Sequence, residues 1–404
     1  MSLAFLTVNK PLRILHAIRS LNPAGGGPIE GVLQLSTVNI RAGHAVEVVS
    51  LDHPSDPWVQ ACSLPCHALG PAWGKYGYSS RFVSWLREHR DDYDFVVVNG
   101  LWQYHAFGAW RALRGTNTPY FVYPHGMLDP WFKRTYPLKH LKKWLYWPWA
   151  DYRVLRDAAA VLFTCEEERL RARESFGLYR CRESVVNYGT AGPVGDPVRQ
   201  RVLFLEKFPE LRGKKCLLFL GRVHVKKGPD LLLRAVAEIR RRQSAELTAQ
   251  LHVVMAGPDD HAYGTELKTL VTELDLQAAV TWTGQVAGDL KWGAFYAAEA
   301  FILPSHQENF GIAVAESLAC RLPVLISDQV NIWREISADG AGYVEADDLA
   351  GTIRLIERWL LTPTPEWEAL RQHAEASFQK RFHVNAAAAS LVHVARQWRE
   401  STAR

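Results

Sequence analysis

Residues 216–228 read CLLFLGRVHVKKG. An unbroken apolar run that stops at a glycine describes a strand covered on both faces, here Cys216–Leu220, ending in a turn. The turn carries Arg222 and, five residues on, Lys227, so two cations stand at the carboxyl end of the strand. Arginine grips phosphate oxygens in a bidentate fork, and lysine adds a compact charge. Alone, the pattern describes a basic surface loop equally well.

A second stretch has the same grammar. Residues 301–316 read FILPSHQENFGIAVAE, an apolar strand followed by a helix expected to begin near Phe310. The free N–H groups of a helix start favour a phosphate. Glu308 precedes that start, where a carboxylate can accept from sugar hydroxyls, and Glu316 lies inside the helix, suited to ribose hydroxyls.

Outward from these two stretches, short apolar runs alternate with helical patterns. The first half predicts strands at Arg13–Ile18, Ala45–Leu51, Phe95–Asn99, Tyr120–Tyr123, Ala160–Thr164 and Glu183–Asn187. The second adds Leu251–Ala256, Val280–Thr283, Ala300–Pro304 and Pro323–Ser327 to Cys216–Leu220. Two alternating blocks mean two doubly wound α/β domains with parallel sheets, and such sheets bind ligands beyond the carboxyl ends of their strands. The expected division is 1–192, 193–380 and a C-terminal helix, 381–404, returning toward the first domain, with the site in the cleft where the domains face each other. Residues 189–200, GTAGPVGDPVRQ, read as the linker.

Composition narrows the class. The chain has 404 residues, too many for one core, and 48% are hydrophobic and 22% charged, as in a globular protein. No apolar run reaches the ~18–20 residues of a membrane span, and Lys10, Pro11 and Arg13 break the N-terminal pattern, so a cytoplasmic location is the expectation. A net charge of +5 suits an anionic small ligand or a membrane surface and is too dispersed for nucleic acid. The six cysteines are scattered as in a reduced protein. Cys62, Cys66 and His67 lack a fourth ligand at recognisable spacing and read as thiols and an imidazole in a connecting segment. Asp92 and Asp94, a D-x-D pair, precede a strand and lie at the wrong end of the sheet for a metal on a sugar diphosphate. No metal or other cofactor is expected.

Arg222 and Lys227, followed by Glu308-x7-Glu316 about eighty residues on, resemble the motif set of the retaining nucleotide-sugar glycosyltransferases of family 4, which have the GT-B fold. The similarity extends over nearly the whole chain, through a Gly-rich loop, a Pro-His-Gly segment and a TGQV turn in the family's order. The resemblance implies that Arg222 and Lys227 hold the donor diphosphate, Glu308 the transferred sugar and Glu316 the ribose. Asn309, Phe310, Gly311, Ile312 and Val286 would line the same donor site. It also tips Gly25, Gly26 and Gly27, otherwise a flexible turn, toward a phosphate or acceptor loop together with Trp102. His125, otherwise a structural histidine, becomes a partner for the donor sugar. The chain departs from the family at Arg321, where a glycine is usual, and over residues 327–336, SDQVNIWREI, which replace a Gly-rich stretch.

Lys133–Trp149 interleaves basic residues with large aromatics and leucines. It reads either as an anchor to the inner face of the cytoplasmic membrane or as a helix packed into the first domain. The function implied is transfer of a hexose-type sugar from a GDP- or UDP-linked donor to a glycan hydroxyl, lipid-linked, in surface polysaccharide or lipopolysaccharide synthesis. An epimerase or phosphorylase on the same fold is one alternative. An inactive sugar-nucleotide-binding subunit is the other, and the complete set of Arg222, Lys227, Glu308 and Glu316 argues against it.

Overall fold

The computed structural model describes residues 10–402 except Gly26. The chain divides into two compact units: one runs to Tyr188 and is completed from Val384 onward, and the other is Gly189–His383.

The first unit is built on a seven-stranded parallel sheet of β1 (Arg13–Ile18), β2 (Ala45–Ser50), β3 (Cys66–Ala68), β4 (Phe95–Asn99), β5 (Tyr120–Tyr123), β6 (Ala160–Phe163) and β7 (Glu183–Val185). Its spatial order is β3-β2-β1-β4-β5-β6-β7. Alternation along β4 shows how both faces are filled. Phe95 and Val97 pack in one core cluster with Leu391, Val392 and Ala395 of the C-terminal helix. Val96 and Val98 pack in another with Leu86, Tyr104 and Ala109. All five residues of β4 are buried, as a central parallel strand requires.

The second unit repeats the plan with six parallel strands: β8 (Lys215–Leu220), β9 (Leu251–Ala256), β10 (Val280–Gly284), β11 (Ala300–Leu303), β12 (Val324–Ser327) and β13 (Gly342–Glu345). The order is β10-β9-β8-β11-β12-β13. In each unit the winding reverses direction once, between β1 and β4 and between β8 and β11. At such a switch point the two connections leave in opposite directions and open a crevice.

Several expectations are corrected. Cys66 and His67 belong to β3, an edge strand, rather than to a connecting segment, and His67 Nε2 is 2.7 Å from Glu47 Oε2 on β2. The strand β13 was not foreseen. Residues 197–200 of the expected linker lie in the helix Pro197–Lys207, initiated by Asp196, whose carboxylate accepts from Val198 N. The helix expected near Phe310 begins at Ile312, because Gly311 adopts a left-handed conformation (φ 72°) at its N-cap. Arg321 sits at φ 58°, the left-handed turn for which a glycine is usual. Its cost of ~1–2 kcal/mol is offset in part by the guanidinium's contacts with Glu368 (3.0 Å) and Glu375 (3.5 Å).

Candidate functional site

The second unit's switch point joins the two stretches that opened the sequence. Beyond β8 the chain makes a short turn, Val225–Lys227, closed by Gly228 at φ 63°. A Cβ on Gly228 would stand 2.2 Å from the Pro304 carbonyl oxygen, so only glycine lets this loop meet the one after β11. The loops are then stitched together: the Lys226 carbonyl accepts from Ser305 Oγ and from His306 N, both at 2.8 Å. The stitching brings Lys227 Nζ to 2.5 Å from Glu308 Oε2, across 81 residues of sequence. Arg222 stands exposed on the same loop.

Burial pushes the Glu308 carboxyl up, but the charges of Lys227, Lys226 and Arg222 and the hydrogen bond from Lys227 outweigh it and hold the group below the usual carboxylate range. The carboxylate is therefore charged at neutral pH. Its backbone is bracketed by the loop after β12: Glu308 N donates to Gln329 O, and Asn331 N donates to Glu308 O, both at 3.0 Å. Asn331 is fully buried, and its side-chain amide reaches Asn309 Oδ1 at 3.4 Å. This third loop is the SDQVNIWREI stretch, whose role as a support for Glu308 leaves no signal in local sequence.

Asn309, Phe310 and Gly311 lie in the loop itself, and Ile312 opens the helix Ile312–Ala319, which carries no side-chain cap. Its first N–H groups are thus available to an anion. Glu316, one turn in, is buried and accepts from Lys291 Nζ at 2.8 Å. That lysine, whose amine also lies 4.2 Å from the centre of the Trp292 ring, was not anticipated. Val286 is half-buried in the loop beyond β10.

In the first unit, Gly25 closes a short 3-10 turn after β1, Gly27 opens the helix Gly27–Arg41, and Gly26 lies outside the described residues. Trp102 follows β4 on the other side of that unit's switch point, at φ 67°. Its N–H donates to the fully buried Asp151 (3.2 Å), whose carboxyl burial pushes up to about 7. Its indole is held by Nε1 donating to Met127 O (3.3 Å) and by the Lys143 amine 4.4 Å from the ring centre.

His125 follows β5 at φ 50°, stacked on Tyr123. The Asn99 amide nitrogen faces the carbonyls of Val97 and Ala17, so Asn99 Oδ1 faces His125 Nε2 at 3.2 Å. His125 must then donate from Nε2, which leaves Nδ1 as an acceptor. Burial, with the nearby His16, lowers its pKa to about 3, so the ring is neutral. The turn itself hangs on Glu168, a buried carboxylate that accepts from Gly126 N and from the N–H and hydroxyl of Thr164, each at 2.7 Å.

Asp94 is engaged structurally, accepting from Arg13 N (2.7 Å) and from Arg399 (2.6 Å). Among the described residues no group of three or more His, Cys, Asp or Glu is placed to hold a metal ion, and no helix is long and apolar enough to cross a membrane. Lys133–Trp149 forms two short helices and a turn. Trp147 is buried, while Leu138 (82% exposed), Leu141, Leu145 and Trp149 (68% exposed) face outward at helical spacing.

Two doubly wound parallel units, one with cations and a carboxylate gathered at its switch point, define the GT-B architecture. Residues 26–189 match the model of the glycosyl transferase 4-like domain, and residues 204–377 that of glycosyl transferases group 1. The chain belongs to the family 4 glycosyltransferases. It is 29% identical over 194 residues to a D-inositol 3-phosphate glycosyltransferase of Kineococcus radiotolerans, a match spanning 48% of this chain and 45% of that protein. The chain thus aligns with less than half the length of that relative. Among solved structures, it is similar to sucrose-phosphate synthase from Thermosynechococcus elongatus (TM-score 0.74, 20% identity, 96% of this chain and 100% of that one). Anabaena HepE in complex with UDP and glucose is comparable (TM-score 0.72, 16% identity, 97% and 99%). Both likenesses are of fold.

Proposed function

We propose that the protein transfers a hexose-type sugar from a nucleoside diphosphate to a glycan hydroxyl, with retention of anomeric configuration. The observation that carries this reading is the Lys227–Glu308 pair beside Arg222 at the second unit's switch point. A diphosphate there meets two cations and an uncapped helix start, which stabilise the negative charge that grows on the leaving phosphate. In this reading no metal is needed for that task. Glu308, kept ionised by its lysine, accepts from hydroxyls of the sugar, and Glu316 accepts from the ribose. His125 is neutral and offers Nδ1 to a sugar hydroxyl. The HepE complex with UDP and glucose supports a nucleotide-linked donor, and this proposal leaves the base open between UDP and GDP.

The family resemblance is what supports retention. In the step we favour, the bond between the anomeric carbon and the phosphate oxygen breaks and the acceptor oxygen bonds to the same face. The acceptor proton passes to the departing phosphate.

The acceptor in this proposal is a lipid-linked glycan of surface polysaccharide or lipopolysaccharide synthesis, met at the inner face of the cytoplasmic membrane. The outward row Leu138, Leu141, Leu145 and Trp149 with its neighbouring lysines has the chemistry of a contact with anionic lipid.

The test is calorimetric titration with a panel of UDP- and GDP-sugars. Arg222→Ala and Lys227→Ala should each weaken the preferred donor by roughly 1.5–3 kcal/mol, the value of a lost charge-assisted hydrogen bond. Undiminished affinity in both would overturn the assignment. Sugar isomerisation without any acceptor would point to an epimerase instead.

A further inference from the structure

The carboxyl edge of the first unit's sheet carries a second concavity, whose lining includes neither Trp102 nor His125. It lies beyond β2 and β3, has a volume of about 610 Å³, and is lined by His53, Trp73, Tyr78, Ser80 and Arg81 among others. That volume is within the ~300–1,000 Å³ usual for small-molecule sites.

Trp73 is 79% exposed, and Tyr78 beside it is about half exposed. Neither is loose. The Trp73 and Tyr78 backbones pair in both directions (2.8 and 3.1 Å) around a turn in which Gly74 and Gly77 have φ of 63° and 77°. Tyr78 rests on Tyr104 (ring centroids 4.8 Å apart), and the Tyr76 carbonyl accepts from Tyr104 N (2.9 Å). Just after the turn, Ser79 Oγ donates to Leu69 O at 2.6 Å. Aromatic rings left in water on a fixed turn are unfavourable for folding, and the fixed backbone preorganises them in part for a ligand. Arg81 is exposed and has no carboxylate partner among the described residues.

We infer that this concavity is a distal acceptor subsite, in which a pyranose ring of the glycan lies on Trp73 and Tyr78 while Arg81 pairs with an anionic substituent such as a uronic acid carboxylate. The inference rests on the glycosyltransferase reading and names its acceptor's chemistry. The C–H face of a sugar suits an indole, while His53, Ser80 and Arg81 supply polar partners for hydroxyls and a carboxylate. A lipid chain would leave those polar groups without partners, which favours a sugar over the membrane as occupant.

The experiment is saturation-transfer NMR on the full chain with methyl β-glucuronoside and methyl β-glucoside as probes. Transfer to the ring protons of both is expected, stronger for the glucuronoside. Trp73→Ala should weaken both by roughly threefold to tenfold, the range for one aromatic stacking contact, and Trp73→Phe should restore most of it. Arg81→Gln should remove only the advantage of the glucuronoside. The Arg222→Ala protein should keep the whole signal, so a failure of the donor assignment is separable from a failure here. Equal transfer in wild type and Trp73→Ala would overturn the subsite. So would a Trp73→Ala protein that keeps its sugar signal but loses binding to phosphatidylglycerol vesicles, which would assign Trp73 to the membrane.

Discussion

Replacing Lys227 by methionine removes a charge and keeps most of the volume, which isolates the electrostatic role of the Lys227–Glu308 pair. The two side chains are 16% and 17% exposed and 2.5 Å apart. Stranding one member of a fully buried pair costs ~3–5 kcal/mol. Here residual solvent and the charges of Lys226 and Arg222 still act on Glu308, so about 2–3 kcal/mol is expected. For a unit of the size of Gly189–His383 that is a fall of roughly 5–10 °C in its melting temperature. Adding Glu308→Gln removes the stranded charge and should return the protein to within about 1 kcal/mol of wild type.

The pH dependence carries the same signature. Glu308 has a depressed pKa in the folded chain, so its contribution is present above the ordinary carboxylate value of 4.5 and is lost as pH falls through the folded value. Without Lys227, burial has less opposition, the folded pKa moves up, and this acid-side slope shrinks. Urea unfolding of wild type, both single variants and the double variant at pH 7.5 and at a series of values below pH 4.5 tests both points. If Lys227→Met and Glu308→Gln lower stability additively, the two groups are not coupled and the reasoning fails.

The first unit should be acid-labile for a different reason. His16 and His105 are fully buried, and burial lowers both pKa values to about 4. Their unfolded forms titrate near 6.5, so this stability is present above that pH and lost as pH falls toward 4, by up to ~1.4 kcal/mol per pH unit for each ring. His105→Gln should flatten the dependence by one ring's worth in unfolding at pH 7.5 and 5.5. At the outward row, Leu138→Asn with Leu145→Asn should lower sedimentation with phosphatidylglycerol vesicles at least tenfold, at ~0.8 kcal/mol per buried methylene, while donor binding is unchanged.

The central strands were legible because a residue buried on both faces must be apolar, and FVVVN, CLLFL and FILPS are. Strands β3 and β13 were not. They are edge strands of three and four residues, whose half-buried positions admit His67 and Glu345, while Gly342 is required because a Cβ there would stand 2.0 Å from the Val324 carbonyl oxygen. Arg222, Lys227, Glu308 and Glu316 could be picked out by type and place. What could not be read was that Lys227 would find Glu308, since that contact needs Gly228 to admit the Pro304 carbonyl. The supports Asn331, Lys291, Asp151 and Glu168 come from separate loops and helices, and only the folded backbone brings them to the residues they hold. The left-handed Gly311 puts the start of the helix at Ile312, two residues beyond the start expected near Phe310.

The first unit's core includes Leu391, Val392 and Ala395, which come from the last helix of the chain. On the ribosome this has an order built into it. The sheet from β1 to β7 emerges first yet keeps one apolar face uncovered, while Gly189–His383 is a continuous segment that can complete its own core before that helix is made. Nascent chains therefore carry an unfinished first unit until the helix that supplies Leu391, Val392 and Ala395 has been made. The seam between Asp94 and Arg399 can close only after the whole of Gly189–His383 has been made.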